Sequence, residues 1–502
     1  MKTSTFTRRE LLGAVAGTTL LTSAISGATR KQPNILLAIA DDWSAGHAGA
    51  YGCQWIKTPA FDRVAKAGVL FRNAFTSNPK CSPCRATMLT GRNTWQLKEA
   101  VNHMSVFPRD FPVYPDLLEQ AGYFSGCTGK GWGPGDFKST GWPHNPAGRE
   151  WNAVKLQPPV SGIAPIDYAR NFEEFLREKP KDKPFCFWLG GHEPHRPYEP
   201  GSGVRAGKKL KDVQVPPYLP DNEIVRSDML DYALEVEWFD RHVGLALDHL
   251  EKLGELDNTL VLVTSDHGMP FPRVKGQIFE DGFHIPLAIC WGKHMAGGRV
   301  IDDFINTRDY APTFLEAAGL PPAGTMTGAS FLGLLTSGKS GTIDPSRSVM
   351  LSGKERHDIG RPNDAGYPVR AIRTEEYLYV RNFAPDRWPA GNPETGYTNV
   401  DDSPTKQFML SRFDKFYEMS FGKRPMEELY LVKTDPSNLN DLARDPKYAE
   451  IKRKLRERME ELLRAEGDPR MLGQADFFDT IEYTGPKLHS YSEWLKHNGT
   501  EH

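Results

Sequence analysis

Continuous apolar runs recur along the first two thirds of the chain and alternate with segments of helical character. Asn34–Ala40 (NILLAIA) and Thr259–Thr264 (TLVLVT) are almost wholly apolar, as strands are when both faces of their sheet are covered. Between such runs the pattern predicts helices, among them an amphipathic one over Tyr168–Arg177 and a long one over Ser227–Leu253. This alternation predicts an α/β fold over residues 29–340, with a mostly parallel sheet and helices on both of its faces.

The pattern changes after residue 340. Three shorter strand-like segments follow, namely Ser348–Ser352, Val369–Arg373 and Tyr377–Phe383, and a charged helix lies beyond them. They predict a smaller α+β subdomain with an antiparallel sheet over residues 341–502, which contributes to the ligand pocket. The stretch 387–406 is rich in Pro, Gly, Asn and Asp, so we expect a long ordered surface loop there.

The first 28 residues have the features of an export signal. Arg8 and Arg9 precede an apolar stretch rich in Gly and Ala, and Ser26–Ala28 offers a small-residue cleavage site. This pattern predicts a twin-arginine signal peptide over residues 1–28, recognised by the twin-arginine export machinery, and a periplasmic or secreted bacterial protein that is exported folded. A Sec signal or a membrane anchor is the alternative, but the run is short for a spanning helix, so no stable anchor is expected.

Composition and charge narrow the class of function. Gly and Pro are plentiful, with 46 and 39 of the 502 residues, which is typical of a globular enzyme with many ordered loops. The formal net charge of −2 provides no broad surface for nucleic acid, so an anionic ligand must be held by a local cluster of positive groups. The six cysteines are irregularly spaced and three lie in apolar runs, so buried thiols are expected rather than a disulfide framework.

Four of the predicted strands are followed directly by polar clusters. These clusters are Asp41-Asp42, Gly129-Lys130, His192-Glu193-Pro194-His195-Arg196 and Ser265-Asp266-His267-Gly268. Ligand sites in open α/β sheets lie beyond the carboxyl ends of the strands, so one shared site is predicted. Asp41, Asp42 and Asp266 would repel one another unless a cation lay between them, and oxygen ligands suit Ca²⁺ or Mg²⁺. Taken singly, each of these carboxylates could instead belong to a helix cap or a turn.

Positive side chains are expected to accompany these carboxylates. They are Arg85, Lys130, His195 and Lys275. A hard cation combined with several basic side chains is suited to stabilising an anion whose charge grows in a transition state. For Lys275 or Arg196 taken alone, a solvated surface position is the alternative.

Residues 81–92, Cys-Ser-Pro-Cys-Arg-Ala-Thr-Met-Leu-Thr-Gly-Arg, form the most specific motif of the chain. A helix is predicted over Ser82–Leu89, with Cys81 at its start, where backbone N–H groups favour an anion, and Arg85 one turn further on. CxPxR followed by LTGR resembles the signature of the type I sulfatase family. The alternative is a thioredoxin-like CxxC formed with Cys84, but it would explain neither Arg85 nor the LTGR tail nor the distant carboxylates.

The resemblance extends over most of the chain. Further sulfatase-like segments are PNILLAIADD, TGK, HEPHRP, DNTLVLVTSDHG, RDYAPTFLEAAGL and ELYLVKTDPSNLNDLARDP. The resemblance implies an alkaline-phosphatase-like fold and the hydrolysis of sulfate esters or sulfamates on sulfated saccharides. Within the family, the sequence is most similar to heparan N-sulfatase (sulfamidase)-like bacterial sulfatases.

The resemblance also implies the chemistry of the site. Residue 81 would be oxidised to Cα-formylglycine by a formylglycine-generating or radical maturation enzyme, and Ca²⁺, or alternatively Mg²⁺, would bind beside it. The metal-ligand positions of the family fall on Asp41, Asp42, Cys81, Asp266 and His267, the last of which stands where Asn is commoner. The catalytic and sulfate-contacting positions fall on Arg85, Lys130, His195 and Lys275, with His195 as the acid for the leaving oxygen.

One departure from the family pattern concerns the release of sulfate. Many sulfatases have GKWHxG where this chain has Gly129–Gly133 (GKGWG), so Trp132 stands in place of a histidine that helps to expel sulfate. Tryptophan cannot accept a proton. Either another histidine performs the step or release is slow. The candidate replacements are His47, His103, His144 and His284.

The smaller subdomain begins with the charged segment Lys354–Asp358 (KERHD). Arg356 and His357, together with Arg196, are predicted to bind the sugar, with a solvated loop as the alternative for the first two. Two further functions stay open at this point. One is a phosphonate or phosphodiester hydrolase with the same nucleophile, and the other, suggested by Trp132, is an inactive sulfatase-like protein that binds sulfated glycans.

Overall fold

A computed structural model describes residues 32–488 and 490–498, so the predicted signal peptide lies outside the described residues. The strands are β1 (Asn34–Ala40), β2 (Val69–Phe71), β3 (Ala74–Phe75), β4 (Phe124–Gly129), β5 (Phe185–Gly190), β6 (Thr259–Ser265), β7 (Leu287–Cys290), β8 (Arg299–Ile301), β9 (Ile305–Asn306), β10 (Val349–Lys354), β11 (Val369–Thr374), β12 (Tyr377–Asn382) and β13 (Glu427–Leu431). The α-helices are α1 (Pro59–Ala67), α2 (Cys81–Thr90), α3 (Tyr114–Gln120), α4 (Tyr168–Glu178), α5 (Ser202–Arg205), α6 (Glu223–Lys252), α7 (Glu280–Phe283), α8 (Tyr310–Ala317), α9 (Leu332–Thr336), α10 (Pro404–Leu410), α11 (Lys415–Phe421), α12 (Ala449–Ala465), α13 (Asp476–Thr480) and α14 (Tyr491–Asn498). Across this described part of the chain, no helix combines the length and the apolar character that a membrane span requires.

The larger sheet has seven strands in the order β4-β5-β1-β6-β7-β2-β8. Its consecutive strands β4, β5, β1 and β6 are parallel, whereas β7 runs antiparallel to both of its neighbours. These four parallel strands are the ones that polar clusters follow in the sequence, so the clusters meet at one edge of the sheet. The mostly parallel sheet predicted from the sequence is confirmed.

Alternate residues of β1 face two separate cores. Leu36 and Ala38 pack with residues of α1, α4 and α6 on one face, and Ile35 and Leu37 pack with residues of α2, α3 and α8 on the other. Because helices cover both faces, every residue of the strand is buried, which explains its unbroken apolar sequence. All six cysteines are buried and unpaired, as the composition predicted.

The second sheet consists of the antiparallel strands β10-β11-β12-β13. Helix α12 packs on it through Met459 and Leu463. The predicted C-terminal antiparallel sheet is therefore confirmed. The predicted boundary at residue 340 falls in the connection between α9 and β10.

The segment 387–406 differs from its prediction as a surface loop. Ala390, Tyr397 and Val400 are buried in the same core as α6, and helix α10 begins at Pro404 within the segment. Pro389 and Gly396 do lie in turns, but apolar residues of the same segment pack inward. The composition of the segment predicted its turns, but it could not show that the segment packs against the core that contains α6.

Removal of a buried ring from β5 should destabilise the protein strongly. Phe187→Ala is expected to lower the free energy of unfolding by about 3–5 kcal/mol, because Phe187 is fully buried and its ring packs against Phe172 and Phe175. Phe413→Ala is the matched control, since that ring is 72% exposed and its loss should change stability by at most about 0.5 kcal/mol. Denaturant unfolding measures both variants, and equal losses would contradict the placement of β5 in the core.

Candidate active site

Cys81 is the first residue of α2, and Lys80 before it has the extended conformation of an N-cap residue. At the other end, Gly91 adopts φ 64 and closes the helix in the left-handed conformation that glycine accepts without strain. The LTGR segment thus fixes the end of the helix and the CxPxR segment fixes its start. Unpaired backbone N–H groups and the helix dipole favour negative charge at Cys81.

The carboxyl ends of β1 and β6 bring metal-ligating groups to Cys81. Its sulfur lies 3.5 Å from Asp41 Oδ1 and 3.4 Å from His267 Nε2. One ligand atom from each of Asp41, Asp42, Cys81 and His267 lies within 4.8 Å of the others, and all four residues are buried. Groups that are far apart in the sequence therefore form one compact cluster.

Asp266 completes the cluster from β6. Its Oδ1 accepts the backbone N–H of Asp42 at 3.2 Å and that of His267 at 2.9 Å. Burial, and then the negative charge of Asp41, raises the pKa of Asp266 to about 6. The second oxygen of Asp266 faces Arg85, so this carboxylate joins the cluster to its positive surroundings.

Asp42 is held in an unusual backbone conformation. Its φ is 79, in the left-handed region that residues with a side chain seldom adopt. Lys275 Nζ contacts both carboxylate oxygens, at 2.7 and 2.5 Å, and His267 Nδ1 lies 3.0 Å from Oδ1. These contacts keep the side chain of Asp42 turned into the cluster, where local strain is commonly retained for function.

Arg85 lies beneath the cluster and is fully buried. Its Nε donates to Asp266 Oδ2 at 2.9 Å, and its Nη1 donates to the carbonyl oxygens of Lys130 and Gly131 at 2.6 and 3.0 Å. Its Nη2 lies 3.6 Å from Asp41 Oδ1, and no residue that the structure describes accepts a hydrogen bond from it. One charged donor is thus available to an anionic ligand.

Lys130 and Lys275 supply the remaining positive charge. Lys130 Nζ forms an ion pair with Asp41 Oδ2, and the pKa of Asp41, which burial would raise, is held well below its usual range by Lys130 and Arg85. Burial would also raise the pKa of the Cys81 thiol, but Lys130 and Lys275 lower it well below its ordinary value. The field at residue 81 therefore favours an anion.

His195 belongs to the loop that follows β5. Its Nδ1 donates to the carbonyl oxygen of Arg196 at 2.6 Å, which leaves Nε2 for a ligand. Burial would lower the pKa of His195, but Asp42 and an interaction with Cys81 raise it to about 9. At neutral pH this imidazole is protonated, as a general acid must be.

Arg196 lines the pocket, but its guanidinium group is committed elsewhere. Nη1 and Nη2 donate to the two oxygens of Asp228 at 2.7 and 2.8 Å, and Nε donates to the carbonyl of Pro270 at 3.0 Å. The group also lies over the rings of Tyr198 and Phe271. The geometry assigns Arg196 to positioning the loop that carries His195, and its predicted contact with substrate stays a prediction.

Arg356 and His357 lie outside the described lining of the pocket, and both are buried. Arg356 donates to the carbonyl oxygens of Ile481 and Glu482 at 2.7 and 3.0 Å, and His357 Nε2 lies 2.8 Å from Asn78 Oδ1. The segment is therefore covered by the chain rather than solvated, and the predicted contact of these two side chains with a sugar stays a prediction.

A pocket of about 650 Å³ opens onto Asp41, Lys130 and His195. Five of its polar lining residues were given no role from the sequence. They are Lys80, His192, Asp358, Thr398 and Asp401. Lys80 adjoins the nucleophile motif and Asp358 ends the KERHD segment, so local signals existed for both, whereas nothing in the sequence marked Thr398 or Asp401.

Comparison with known proteins identifies the family. The family model described as Sulfatase matches residues 33–320, which is more than half of the chain. The chain belongs to the sulfatase family. A second model, described as N-sulphoglucosamine sulphohydrolase, C-terminal, matches residues 272–386 of this sulfatase. The enzyme class predicted from the CxPxR motif is confirmed.

Curated relatives and solved structures agree with this assignment. N-sulphoglucosamine sulphohydrolase of Homo sapiens is 29% identical over 474 residues, covering 87% of this chain and 91% of the relative. An ulvan-active sulfatase of Formosa agariphila is 29% identical over 451 residues, covering 88% and 82%. A structure described as a complex with its substrate D-glucosamine-2-N,6-O-disulfate has a TM-score of 0.65 at 20% identity, covering 87% of this chain and 99% of that one, and shows the shared fold.

The donor groups of this sulfatase fit a hard divalent cation. Asp41, Asp42 and Asp266 offer carboxylate oxygens, the ligands that Ca²⁺ and Mg²⁺ prefer. His267 adds a nitrogen donor, which such cations use less often. Asp41 and Asp42 lie in one buried group of ligand atoms with Cys81 and His267, and the buried carboxylate of Asp266 adjoins that group. This arrangement is unfavourable without nearby positive charge, so these residues are the ones that would hold the metal.

A divalent cation is expected to raise the thermal midpoint of unfolding, because it binds the converged carboxylates of the folded chain and not the unfolded chain. A hundredfold excess over Kd corresponds to about 2.7 kcal/mol. Asp41→Asn should remove most of this gain. Thermal unfolding in Ca²⁺ or Mg²⁺, against a chelator, measures it.

Asp240→Asn is the matched control for this prediction. Asp240 is also a buried carboxylate, but it accepts the backbone N–H groups of Ala60 and Phe61 at the start of α1. Its variant should be less stable yet should keep the full gain from the cation. An undiminished gain in Asp41→Asn would contradict the assigned metal site.

Proposed function

We propose that this sulfatase removes sulfate, as an ester or a sulfamate, from sulfated saccharides, with Cys81 converted to formylglycine and Ca²⁺ bound beside it. One observation carries the proposal above all others. The Cys81 sulfur, at the start of α2, lies 3.5 Å from Asp41 and 3.4 Å from His267, inside a ring of positive side chains. A thiol used as a redox pair with Cys84 would need neither those carboxylates nor those cations.

The surroundings of residue 81 suit a sulfate group. Formylglycine, when present and hydrated, supplies an oxygen nucleophile there. Lys130 lines the pocket, and Arg85 Nη2, which lies 3.6 Å from Asp41 Oδ1, donates no hydrogen bond to the described residues, so both can donate to sulfate oxygens. Donors fixed in a buried site stabilise growing negative charge without reorganising, which is how such a site accelerates group transfer.

His195 is positioned to protonate the leaving group. The carbonyl of Arg196 holds Nδ1, so the proton on Nε2 is the one available to the pocket. The negative charge of Asp42 raises the pKa of His195, which favours retention of that proton. An alcohol or an amine expelled from sulfur needs this proton, because neither leaves readily as an anion.

A sulfated amino sugar is the substrate class that we propose. The relatives above are named for N-sulfated glucosamine and for ulvan, and a pocket of about 650 Å³ suits a ligand of sugar size. Asp401 lines this pocket, and its buried Oδ2 lies 3.3 Å from Lys275 with no hydrogen-bond donor among the described residues. That oxygen can accept a hydrogen bond from a hydroxyl or amine of the sugar next to the sulfate.

Export and maturation complete the proposal. We propose that the Arg8-Arg9 segment directs the folded protein through the twin-arginine machinery to the periplasm or medium, after a maturation enzyme has oxidised Cys81. Oxidation of Cys81 before export is chemically reasonable, because Cys81 is buried in the folded chain and must be modified before the chain folds around it.

Conversion of residue 81 is the decisive test of the function. When the protein is produced with a maturation enzyme, the tryptic peptide containing residue 81 should carry the mass of an aldehyde in place of the thiol, and the protein should release sulfate from 4-nitrophenyl sulfate. Cys81→Ala should abolish turnover, since hydrolysis of the sulfate ester requires the nucleophile at residue 81. Cys84→Ala, three residues further along the same helix, should keep it. Turnover of an unmodified or Cys81→Ala protein at the full rate would overturn the proposal.

Substitution of Asp401 tests the substrate class. Asp401→Asn should lower kcat/KM for glucosamine N-sulfate about tenfold or more relative to 4-nitrophenyl sulfate, because the loss of one buried charged acceptor costs about 1.5–3 kcal/mol. Asp402→Asn, at an exposed neighbouring position, is the matched control and should leave both rates unchanged. Equal effects of Asp401→Asn on the two substrates would argue against a sugar contact.

A further inference from the structure

The proposed chemistry needs a base that position 132 cannot supply. Sulfate can leave the carbon of residue 81 only when the second hydroxyl group on that carbon loses its proton. The indole of Trp132 has an N–H donor and no acceptor, and it donates to the carbonyl of Ser82 at 3.0 Å. Trp132 is also only 2% exposed, with its ring against Phe107. The base must come from another part of the chain.

Three of the four candidate histidines are held outside the pocket. A ring nitrogen of each contacts a neighbouring group, at 3.2, 2.9 and 2.7 Å: His47 with the hydroxyl of Tyr232, His144 with the carbonyl of Asn145, and His284 with the carbonyl of Arg72. None of the three is among the described residues that line the pocket. His192 does line it, but burial lowers the pKa of His192 to about 4, and the positive charges of Lys130 and Arg85 also oppose its protonation.

His103 has the geometry that the others lack. It follows α2 in the chain and lines the pocket together with Asp41 and Lys130. Its Nδ1 donates to Asp358 Oδ1 at 2.7 Å, which places the lone pair of the neutral ring on Nε2. Nε2 is buried, and no described residue forms a hydrogen bond with it. Asp41, which lines the same pocket, lies 3.5 Å from the Cys81 sulfur, so the pocket adjoins residue 81.

Asp358 is fixed by a second contact. Its Oδ2 pairs with Lys80 Nζ at 2.8 Å, and Lys80 is the residue directly before Cys81. The backbone N–H of His103 donates to the carbonyl of Arg356 at 3.2 Å. Arg356 and Asp358 both lie in the connection that follows β10, so this connection holds both the backbone and the ring of His103. A carboxylate held in this way orients the imidazole and stabilises the imidazolium that forms when Nε2 accepts a proton.

We propose that His103, oriented by Asp358, is the catalytic base that releases sulfate from residue 81 in this enzyme. The inference rests on the proposed formylglycine chemistry. It goes beyond that chemistry by assigning the release of sulfate to His103 and Asp358. Both lie outside the motif of residues 81–92, and neither stands at position 132, where many sulfatases have a histidine.

His103 Nε2 takes the proton from the hydroxyl group that stays on the carbon of residue 81. The electron pair of that O–H bond becomes the second bond of a carbonyl group, and the bond from the same carbon to the sulfate oxygen breaks, with its pair leaving on the sulfate dianion. His103 then loses its proton to solvent, and water adds to the carbonyl to restore the diol.

His103→Asn is the first test, because the asparagine amide can keep the contact with Asp358 but offers no base. With 4-nitrophenyl sulfate, we expect a burst of one nitrophenol per active site, followed by a steady-state rate about 10²–10⁴-fold below the wild type. Quenched protein should yield a residue-81 peptide heavier by one SO₃ group. The wild-type protein should show neither the burst nor the heavier peptide.

Several outcomes would overturn the inference. An unchanged steady-state rate in His103→Asn would do so, and so would a slow rate with no burst and no heavier peptide, because the first step would then be the one affected. His144→Asn is the matched control and should behave as the wild type. A wild-type protein that carries formylglycine yet does not turn over sulfate would instead overturn the proposed function, and this inference with it.

Asp358→Asn separates positioning from folding. It keeps the size of the side chain but removes the charge that stabilises protonated His103, so the burst should persist while the steady-state rate falls about 10–100-fold, as for other orienting residues. A variant that loses burst and turnover together, with an unchanged thermal midpoint, would contradict the assigned role of Asp358 in release.

Discussion

The site depends on the convergence of like charges at one edge of a buried sheet. Asp41 and Asp42 follow β1, and Asp266 follows the neighbouring parallel strand β6 at the same level. The carboxylates of Asp41 and Asp42 therefore lie in one group, and Asp266 adjoins it by accepting the backbone N–H of Asp42. Such a group persists in a buried place only when positive charge surrounds it. Arg85 and Lys275 each pair with one of these carboxylates, and a divalent cation would hold them together. The buried carboxylates thus require positive charge around them, and the same positive charge can bind an anionic ligand.

The same constraint explains why the C-terminal part of the chain is needed at the site. Lys275 and Lys80 are buried cations, and each finds a carboxylate from beyond residue 350, namely Asp401 and Asp358 respectively. Without these partners the two lysines would be desolvated beside further positive side chains. The segment around residue 400 and the connection after β10 therefore supply carboxylates that balance positive charge in the pocket. The carboxylates that would hold the metal lie instead at the edge of the parallel sheet.

The sequence predicted what local patterns encode and missed what only long-range packing decides. The parallel strands were predictable because strands covered on both faces are apolar throughout, and Cys81 because its motif spans twelve residues. Asp401 was missed since its neighbours in sequence are turn residues, and nothing nearby indicates that Lys275 lies against it. The burial of Arg356 was also not predictable, because nothing in its charged segment shows that the chain near Ile481 covers it.

The tryptophan at position 132 and the base proposed at position 103 are connected by packing. The Trp132 ring packs edge-on against Phe107, with centroids 5.0 Å apart, and the backbone N–H of Phe107 donates to the carbonyl of Asp136 in the loop that follows Trp132. These contacts hold Phe107, which lies a few residues after His103 in the chain. A histidine at position 132 would be too small to make the same contact with Phe107. Tryptophan at this place therefore gives up a proton acceptor, and its packing supports the segment that carries the proposed base.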